Sequence, residues 1–244
     1  MIFINSDSTD AAFHFSVEEF FMRFIKSNEP VLMLWQTDST VMLGNNQVSS
    51  AEIDIEFANK RGINIVRRSS GGGAIFTDPG TLLYTYIQPK LEEAKTHMDE
   101  TAKKIIDALK FFGASAERVG RNDILVDGKK ISGLAQHSTG SMICTHGSLL
   151  YDTDIDILSN VLIANEEKLI PKGIASIRSR VTNIRPYLNV DHTIEEFKEM
   201  LKDELLKDVE YNTYQLSTDD LSKVNSLYNE KYGNESWNFR ANSQ

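Results

Sequence analysis

The sequence predicts an α/β (α+β) domain in which mixed, mostly antiparallel sheets are flanked by helices. Short apolar segments typical of strands alternate with amphipathic helical segments, and Asp127-Gly128 separates two strand-like segments, as in a two-residue hairpin. The G-x-G-x-x-G and G-x-x-x-x-G-K-[ST] patterns of familiar nucleotide folds do not occur. The chain has 244 residues and no linker-like stretch, so we expect a single domain over 1–244.

The first third of the chain predicts two helices and three strands. Phe13, Val17 and Phe20 recur at near-helical spacing, which predicts an amphipathic helix over 11–27. Residues 31–35, VLMLW, are typical of a buried strand. The remaining predicted elements are a helix over 50–60, which Gly62 would end, and strands over 63–68 and 81–87.

The rest of the chain predicts further helices around a hairpin. A helix over 103–112 would end at Gly113, and the strands beside Asp127-Gly128 would continue into a strand over 146–151. Further helices are predicted near 154–162, 193–206 and 218–232.

Composition limits the classes of function. The net charge of −9 argues against a nucleic-acid partner, whose binding surface would be basic. The apolar runs are too short for a membrane-spanning helix, and MIFINSDSTD lacks the features of a signal peptide. Cys144 is the single cysteine, which excludes disulfides within the chain and four-thiolate zinc sites. We therefore expect a cytoplasmic protein without a membrane partner.

Two segments, 60–73 and 172–185, carry arginines and lysines but no acidic residue. Such basic segments in an acidic protein indicate either a bound anion or two solvated surfaces. The first contains RRSSGGG, in which consecutive glycine N–H groups can surround an anion; the alternative is a flexible turn. Because neighbouring strand residues face opposite ways, only one of Arg67 and Arg68 should enter a site directly.

Two other stretches offer reactive groups. In 120–133, GRNDILVDGKKISG, Asp123 is either a Mg²⁺ ligand or a turn-capping carboxylate, while lysines after a hairpin turn usually face solvent. In MICTHGS, Cys144 is predicted to be a small buried residue rather than a nucleophile, and His146 a hydrogen-bonded structural residue.

Four motifs together resemble the lipoate–protein ligase A family over nearly the whole chain. They are RRSSGGGAIF, GRND followed by DGKKISG, THGSLL, and KGIASIRSRVTNI, in the family's order and spacing. The resemblance implies the biotin/lipoate ligase catalytic-domain fold. It also implies that ATP activates lipoate to lipoyl-AMP, and that the lipoyl group then passes to a lysine of a carrier. The implied carriers are the E2 lipoyl domain of 2-oxoacid dehydrogenases and the glycine-cleavage H protein.

The resemblance also implies roles for individual residues. Lys130 matches the essential lysine that touches both the lipoyl carbonyl and the phosphate, Gly73 and His146 would join it in binding lipoate, and Asp123 would help to place Mg²⁺. Residues 172–185 match the adenylate-binding loop. The implied contacts to ATP or lipoyl-AMP are Arg68, Ser70, Gly71, Gly72, Gly73, Ala74, Ile75, Phe76, Asn122, Asp123, Lys130, His146, Gly147 and Arg180.

The match departs from the family in two places. Thr77 stands where many relatives have His, so an acid–base role there is in doubt. The final NESWNFRANSQ resembles the close of the family's large domain, and the small C-terminal accessory domain has no counterpart. Three interpretations remain open: a truncated chain, an accessory domain on a separate polypeptide, or transfer from preformed lipoyl-AMP alone.

Three rival functions follow from the same motifs. An octanoyltransferase of this fold would carry a cysteine shortly before the lysine motif, where ERVGRNDILVDGKK has none. A biotin ligase would show a GRGRRG-type loop, which is lacking. A module that binds lipoyl-adenylate without turnover is the non-enzyme alternative.

Overall fold

The computed structural model describes residues 1–25, 28–90, 94–163, 177–189 and 191–240, without the side chains of 94 and 95. Within these ranges, no helix is long and apolar enough to cross a membrane.

Strands form two sheets, and helices cover them. The strands are β1 Ile2–Ile4, β2 Val31–Trp35, β3 Thr40–Leu43, β4 Asn64–Arg67, β5 Ile75–Thr77, β6 Thr81–Pro89, β7 Ala116–Val119, β8 Asp123–Val126, β9 Lys129–Thr139, β10 Met142–Leu150 and β11 Asn212–Tyr214. The helices are α1 Ala11–Arg23, α2 Ser49–Glu52, α3 Ile55–Lys60, α4 Ala94–Phe111, α5 Ile155–Val161, α6 Ile194–Leu206, α7 Thr218–Leu227 and α8 Glu235–Asn238. Short 3₁₀ turns span Ile177–Arg180 and Arg185–Tyr187, and a π-helical turn spans Tyr228–Tyr232.

The large sheet has eight strands in the order β11-β1-β2-β6-β10-β9-β8-β7. It is antiparallel except at β1, which pairs in parallel with both β11 and β2. The small sheet has the order β4-β3-β5, in which β3 runs parallel to β4 and antiparallel to β5. The predicted mixed, mostly antiparallel α/β architecture is confirmed.

Alternation along the strands divides the large sheet's core between two faces. On β6, Leu82 and Tyr84 pack into the cluster with α4 and α6, whereas Leu83 packs into the cluster with α1 and α7. This is the two-residue period expected of a strand covered on both faces. A third cluster joins the small sheet to α3 and α5.

Helix α1 differs from the amphipathic helix that its phenylalanines predict. The predicted helix extends to residue 27, but α1 ends at Arg23. Residues 26 and 27 lie outside the described residues. Most of its surface is buried, including Glu18 and Glu19. Because buried charges need partners, these two carboxylates are held in hydrogen-bond networks that no helical period reveals.

Three other boundaries correct the prediction. The expected helix over 50–60 is broken because Ile53 forms a bridge with Leu162, and Asp54 then caps the N-terminus of α3 by accepting a hydrogen bond from the Phe57 amide. Helix α4 begins at Ala94 and not at the predicted residue 103. The sequence predicts a later start because the first turns of this helix are too polar to show an apolar face. The predicted helix over 218–232 passes into the π-helical turn after α7.

Candidate active site

A cavity of about 860 Å³ is lined by residues of both sheets. Its walls come from the glycine-rich loop 68–74, from strands β5, β6, β8, β9 and β10, and from the 3₁₀ turn at Ile177–Arg180. Among the described residues, the predicted site residues in its lining are Arg68, Gly71, Gly72, Gly73, Ala74, Ile75, Phe76, Asn122, Asp123, Lys130, His146, Gly147 and Arg180. Ser70 is the predicted contact that lies behind the wall.

The two neighbouring arginines have different places, as strand alternation predicts. Arg67 is fully buried, and its guanidinium donates to backbone carbonyls, among them those of Gln47 and Asn238 at 2.7 and 2.9 Å. It therefore fastens the C-terminal segment to the core. Arg68 lines the cavity, and burial lowers the pKa of its guanidinium to about 10, against the opposing effect of Glu52 and Glu18. Arg68 remains a cation at neutral pH.

Arg68 shapes the glycine-rich loop from inside. Its Nη2 donates to the carbonyls of Gly71 and Gly73 at 2.9 and 2.8 Å, and Gln47 Nε2 donates to the Gly72 carbonyl at 3.1 Å. In a trans peptide the carbonyl and the following N–H point opposite ways. Fixing these three carbonyls therefore turns the N–H groups of Gly72, Gly73 and Ala74 away from the donors, as an anion cradle requires.

Two glycines make this loop shape possible. Gly72 has φ +98°, a region that side chains with a Cβ rarely adopt. A Cβ at Gly44 would lie 1.8 Å from the Gly72 carbonyl oxygen, so the loop packs directly on the bare backbone there. At the far end of the loop, the Ala74 N–H donates to Glu52 Oε2 at 3.1 Å, so an anionic oxygen already lies against this backbone.

A hydrogen-bond chain that includes the cavity-lining His146 supports the loop. Ser70 Oγ lies 2.6 Å from His146 Nε2, and His146 Nδ1 lies 3.0 Å from Glu18 Oε1. Burial opposes the Glu18 charge, but the contact with His146 lowers the pKa of this carboxyl below its usual value. Arg68 Nε donates to Ser70 Oγ at 3.0 Å, and Ser70 is fully buried. This serine–histidine–glutamate chain therefore organises the loop and does not present a nucleophile.

Lys130 lies near the start of β9 and lines the cavity. Its Nζ pairs with Asp123 Oδ1 at 2.7 Å, with both side chains 34% exposed. The lysine lies over Gly133, where a Cβ would come within 2.9 Å of Nζ. Its carbonyl accepts from the Thr182 N–H at 3.0 Å, which joins the third motif directly to the lysine motif. Arg180, just before this contact, lines the cavity and is exposed.

The inner wall is apolar and carries residues that sequence reasoning missed. Phe15, Trp35, Met42 and Leu83 line it, and they come from three strands and a helix scattered over the first third of the chain. Their only sequence signal is that of ordinary core residues. Cys144 is fully buried on β10, and burial, reinforced by Glu18, raises the pKa of its thiol well above the usual value. Cys144 is thus the small buried residue that was predicted.

Two residues of the motifs, Thr77 and Asn122, have local structural roles. Thr77 is fully buried, and its hydroxyl lies 2.7 Å from that of Thr37, away from the cavity lining, which leaves no room for acid–base chemistry. The Asn122 amide donates to the Leu134 carbonyl at 3.2 Å, so it braces the strand end as well as lining the cavity. Of the third motif, residues 172–176 lie outside the described residues.

Comparisons with known proteins give relatives in both sequence and fold. The lipoate-protein ligase LplJ of Bacillus subtilis is 34% identical over 243 residues, which cover 98% of this chain and 73% of LplJ. A structure of a bi-partite lipoate protein ligase and its E2 lipoyl domain from Thermoplasma acidophilum has a TM-score of 0.84 and 25% identity, covering 100% of this chain and 97% of the other. A lipoate-protein ligase A bound with ATP has a TM-score of 0.82 and 25% identity, covering 98% and 97%.

The fold and these relatives together define the catalytic domain of an ATP-dependent ligase. The family model of the lipoyl protein ligase A/B catalytic domain matches residues 10–206. The chain belongs to this family and is an enzyme of the lipoate–protein ligase type.

Proposed function

We propose that the chain activates lipoate with ATP and transfers the lipoyl group to a lysine of a carrier protein. The observation that carries the proposal is one cavity with three matched walls: backbone N–H groups for phosphate, the Lys130 ammonium, and an apolar inner surface for an acyl chain. The names of the relatives, lipoate-protein ligases of which one is bound with ATP, support the same function.

The first step joins two anions. A lipoate carboxylate oxygen attacks the α-phosphorus of ATP, and the bond to pyrophosphate breaks, leaving lipoyl-AMP. Phe15 and Trp35 would hold the acyl chain, while the N–H groups of the glycine-rich loop would hold the phosphate. Arg68 acts mainly by fixing that loop, since its hydrogen bonds go to loop carbonyls.

Lys130 would lower the repulsion between the reacting anions. Its ammonium is held by Asp123 without substrate, and one ion pair with a flexible lysine is readily exchanged for carboxylate and phosphate oxygens. In the second step, the carrier lysine amine attacks the acyl carbon of lipoyl-AMP, an amide forms, and AMP leaves with the bonding electrons. His146 and Gly73 would contact lipoyl-AMP from the cavity wall.

Mg²⁺ fits the donor set at Asp123. This ion commonly takes one or two carboxylates and fills its remaining positions with phosphate oxygens and water. Asp123 offers one carboxylate in the cavity lining, next to the lysine that would contact phosphate. A bound Mg²⁺ would neutralise charge on the ATP phosphates.

The finer identity of the partners is also proposed. An E2 lipoyl domain is the first carrier to test, since it is the partner of the Thermoplasma ligase, and an H protein is the second. We propose that 1–244 acts as one catalytic domain in the cytoplasm, whose reducing conditions suit the single thiol of Cys144.

One experiment separates the candidate functions. Purified protein is incubated with apo-carrier, first with ATP, Mg²⁺ and lipoate, and then with synthetic lipoyl-AMP, and the carrier mass is measured. Lipoylation in both reactions identifies a complete ligase, and lipoylation from lipoyl-AMP alone identifies a transfer enzyme. An unchanged carrier mass in both reactions refutes the proposed enzyme activity and leaves a binding module.

A further inference from the structure

A second hydrogen-bond cluster holds the glycine-rich loop at Ser69. Lys231 Nζ and Tyr232 Oη each lie 2.6 Å from Glu19 Oε2, and Ser69 Oγ lies 2.9 Å from Lys231 Nζ and 2.7 Å from Tyr232 Oη. We call these four residues the Ser69 clamp. None of these four described side chains lines the cavity.

The proton positions in the clamp are mutually consistent. Tyr232 has one hydroxyl proton, which it donates to the Glu19 carboxylate, so Ser69 donates its own proton to Tyr232 Oη. Ser69 Oγ then accepts from Lys231, which also donates to Glu19. The four groups form a closed ring in which every bond has one donor and one acceptor.

Burial makes this ring rigid. Glu19 and Tyr232 are 5% and 1% exposed. Although burial disfavours a charge at Glu19, the hydrogen bonds from Lys231 and Tyr232 lower the pKa of its carboxyl below the usual value. A buried carboxylate that loses a donor is costly, so the ring resists opening. The π-helical turn at Tyr228–Tyr232 carries two adjacent members of the ring, and such turns are frequent at functional sites.

Adjacent carboxylates of α1 thus hold adjacent serines of the loop. Glu19 reaches Ser69 through the clamp, and Glu18 reaches Ser70 through His146. The loop entry is therefore fixed from two sides, immediately before the three glycines whose carbonyls accept hydrogen bonds from Arg68 and Gln47.

We propose that Glu19, Lys231 and Tyr232 are positioning residues for lipoyl-AMP formation, which act on the phosphate-binding glycines through Ser69. This inference rests on the proposed function. The Tyr232 ring also packs against Phe15 of the apolar inner wall, with ring centroids 5.7 Å apart, whereas its hydroxyl bonds only within the clamp. Loss of the clamp's hydrogen bonds, with the ring kept, therefore slows the phosphate chemistry and leaves the binding of the acyl chain unchanged.

Tyr232→Phe tests the clamp with little change of volume. It removes both phenol hydrogen bonds, and we expect kcat for lipoyl-AMP formation to fall about tenfold, the size of one or two net hydrogen bonds, with the KM for lipoate unchanged. Tyr214→Phe is the matched control. It also removes a phenol–carboxylate hydrogen bond, which the Tyr214 hydroxyl donates to Asp220 at 2.9 Å, but this bond lies outside the glycine-rich loop. Lys231→Arg should retain more activity than Lys231→Met.

A double-mutant cycle with Ser69→Ala shows whether the effect passes through the loop. If it does, Ser69→Ala with Tyr232→Phe is no slower than the slower single variant. Multiplication of the two single effects contradicts the proposal, as does an increase in the lipoate KM at constant kcat.

Hydrogen–deuterium exchange gives a readout that does not depend on catalysis. Faster exchange of peptides covering 69–74 in Tyr232→Phe, but not in Tyr214→Phe, supports the clamp even if the wild-type protein does not ligate lipoate. Unchanged exchange of 69–74 in Tyr232→Phe overturns the clamp, whatever the fate of the proposed function.

Discussion

Replacement of Lys130 by methionine removes the ammonium and preserves most of the side chain. A unit charge about 4 Å from an anion is worth roughly 4 kcal/mol at an effective dielectric near 20. Loss of one preorganised donor commonly slows a reaction by about 10²–10³. These figures agree, and we expect lipoyl-AMP formation by Lys130→Met to fall by about 10²–10³ in kcat/KM.

The same substitution should hardly affect folding. The ion pair between Lys130 and Asp123 joins two side chains that are each 34% exposed, and such pairs contribute about 0–1 kcal/mol. Lys129→Met is the control, because Lys129 is the adjacent lysine of β9, is exposed and does not line the cavity.

The assay is pyrophosphate release under single-turnover conditions, with urea unfolding of each variant beside it. Wild-type rates in Lys130→Met would refute the assigned role, and so would an equal loss of rate in Lys129→Met.

Three further predictions follow from the site. Gly44→Ala places a methyl group against the Gly72 carbonyl, where its Cβ would lie at 1.8 Å, so we expect loss of ligation and a lower melting temperature. Gly71→Ala has nothing within 4 Å of its Cβ, so a comparable loss of melting temperature in that variant would contradict the steric argument. Cys144→Ser should retain ligation, because the raised pKa of this buried thiol rules out a thiolate nucleophile, and an inactive but folded variant in the mass assay would revive thioester chemistry. Burial lowers the pKa of His14 to about 4 from an ordinary 6.5, so between these values the unfolded chain binds the extra proton. His14 alone should therefore lower the free energy of unfolding by about 3 kcal/mol as the pH drops from 6.5 to 4, in addition to the fall from His137, whose pKa burial likewise lowers to about 4. The His14 part should be missing in His14→Gln, and denaturant unfolding that gives identical pH dependence for both proteins would exclude this cause.

The sequence is most informative where the chemistry is contiguous. The Asp127-Gly128 turn follows from local backbone geometry alone. For the glycine-rich loop the residues leave an anion site and a flexible turn both open, and the role of Lys130 is implied only by the resemblance of the motifs to the family. The observed φ values of +49° and +71° at Asp127 and Gly128 confirm the hairpin.

The residues that support the glycine-rich loop cannot be predicted from short sequence motifs. Glu19 meets Tyr232 across 213 positions, and Glu18 meets His146 across 128. Their side chains become partners only when α1, β10 and the C-terminal segment pack together, so no local pattern marks them. Gly44 also has no local sequence signal. A glycine is required there because the Gly72 carbonyl approaches its backbone closely.

A crystal structure with a non-hydrolysable lipoyl-AMP analogue tests the central claim most directly. We expect its phosphate mimic against the N–H groups of Gly72 and Gly73, its acyl chain against Trp35, and Lys130 Nζ moved from Asp123 onto the acyl carbonyl and the phosphate mimic. An analogue bound outside the cavity, or a Lys130 ammonium still paired with Asp123, would contradict the account.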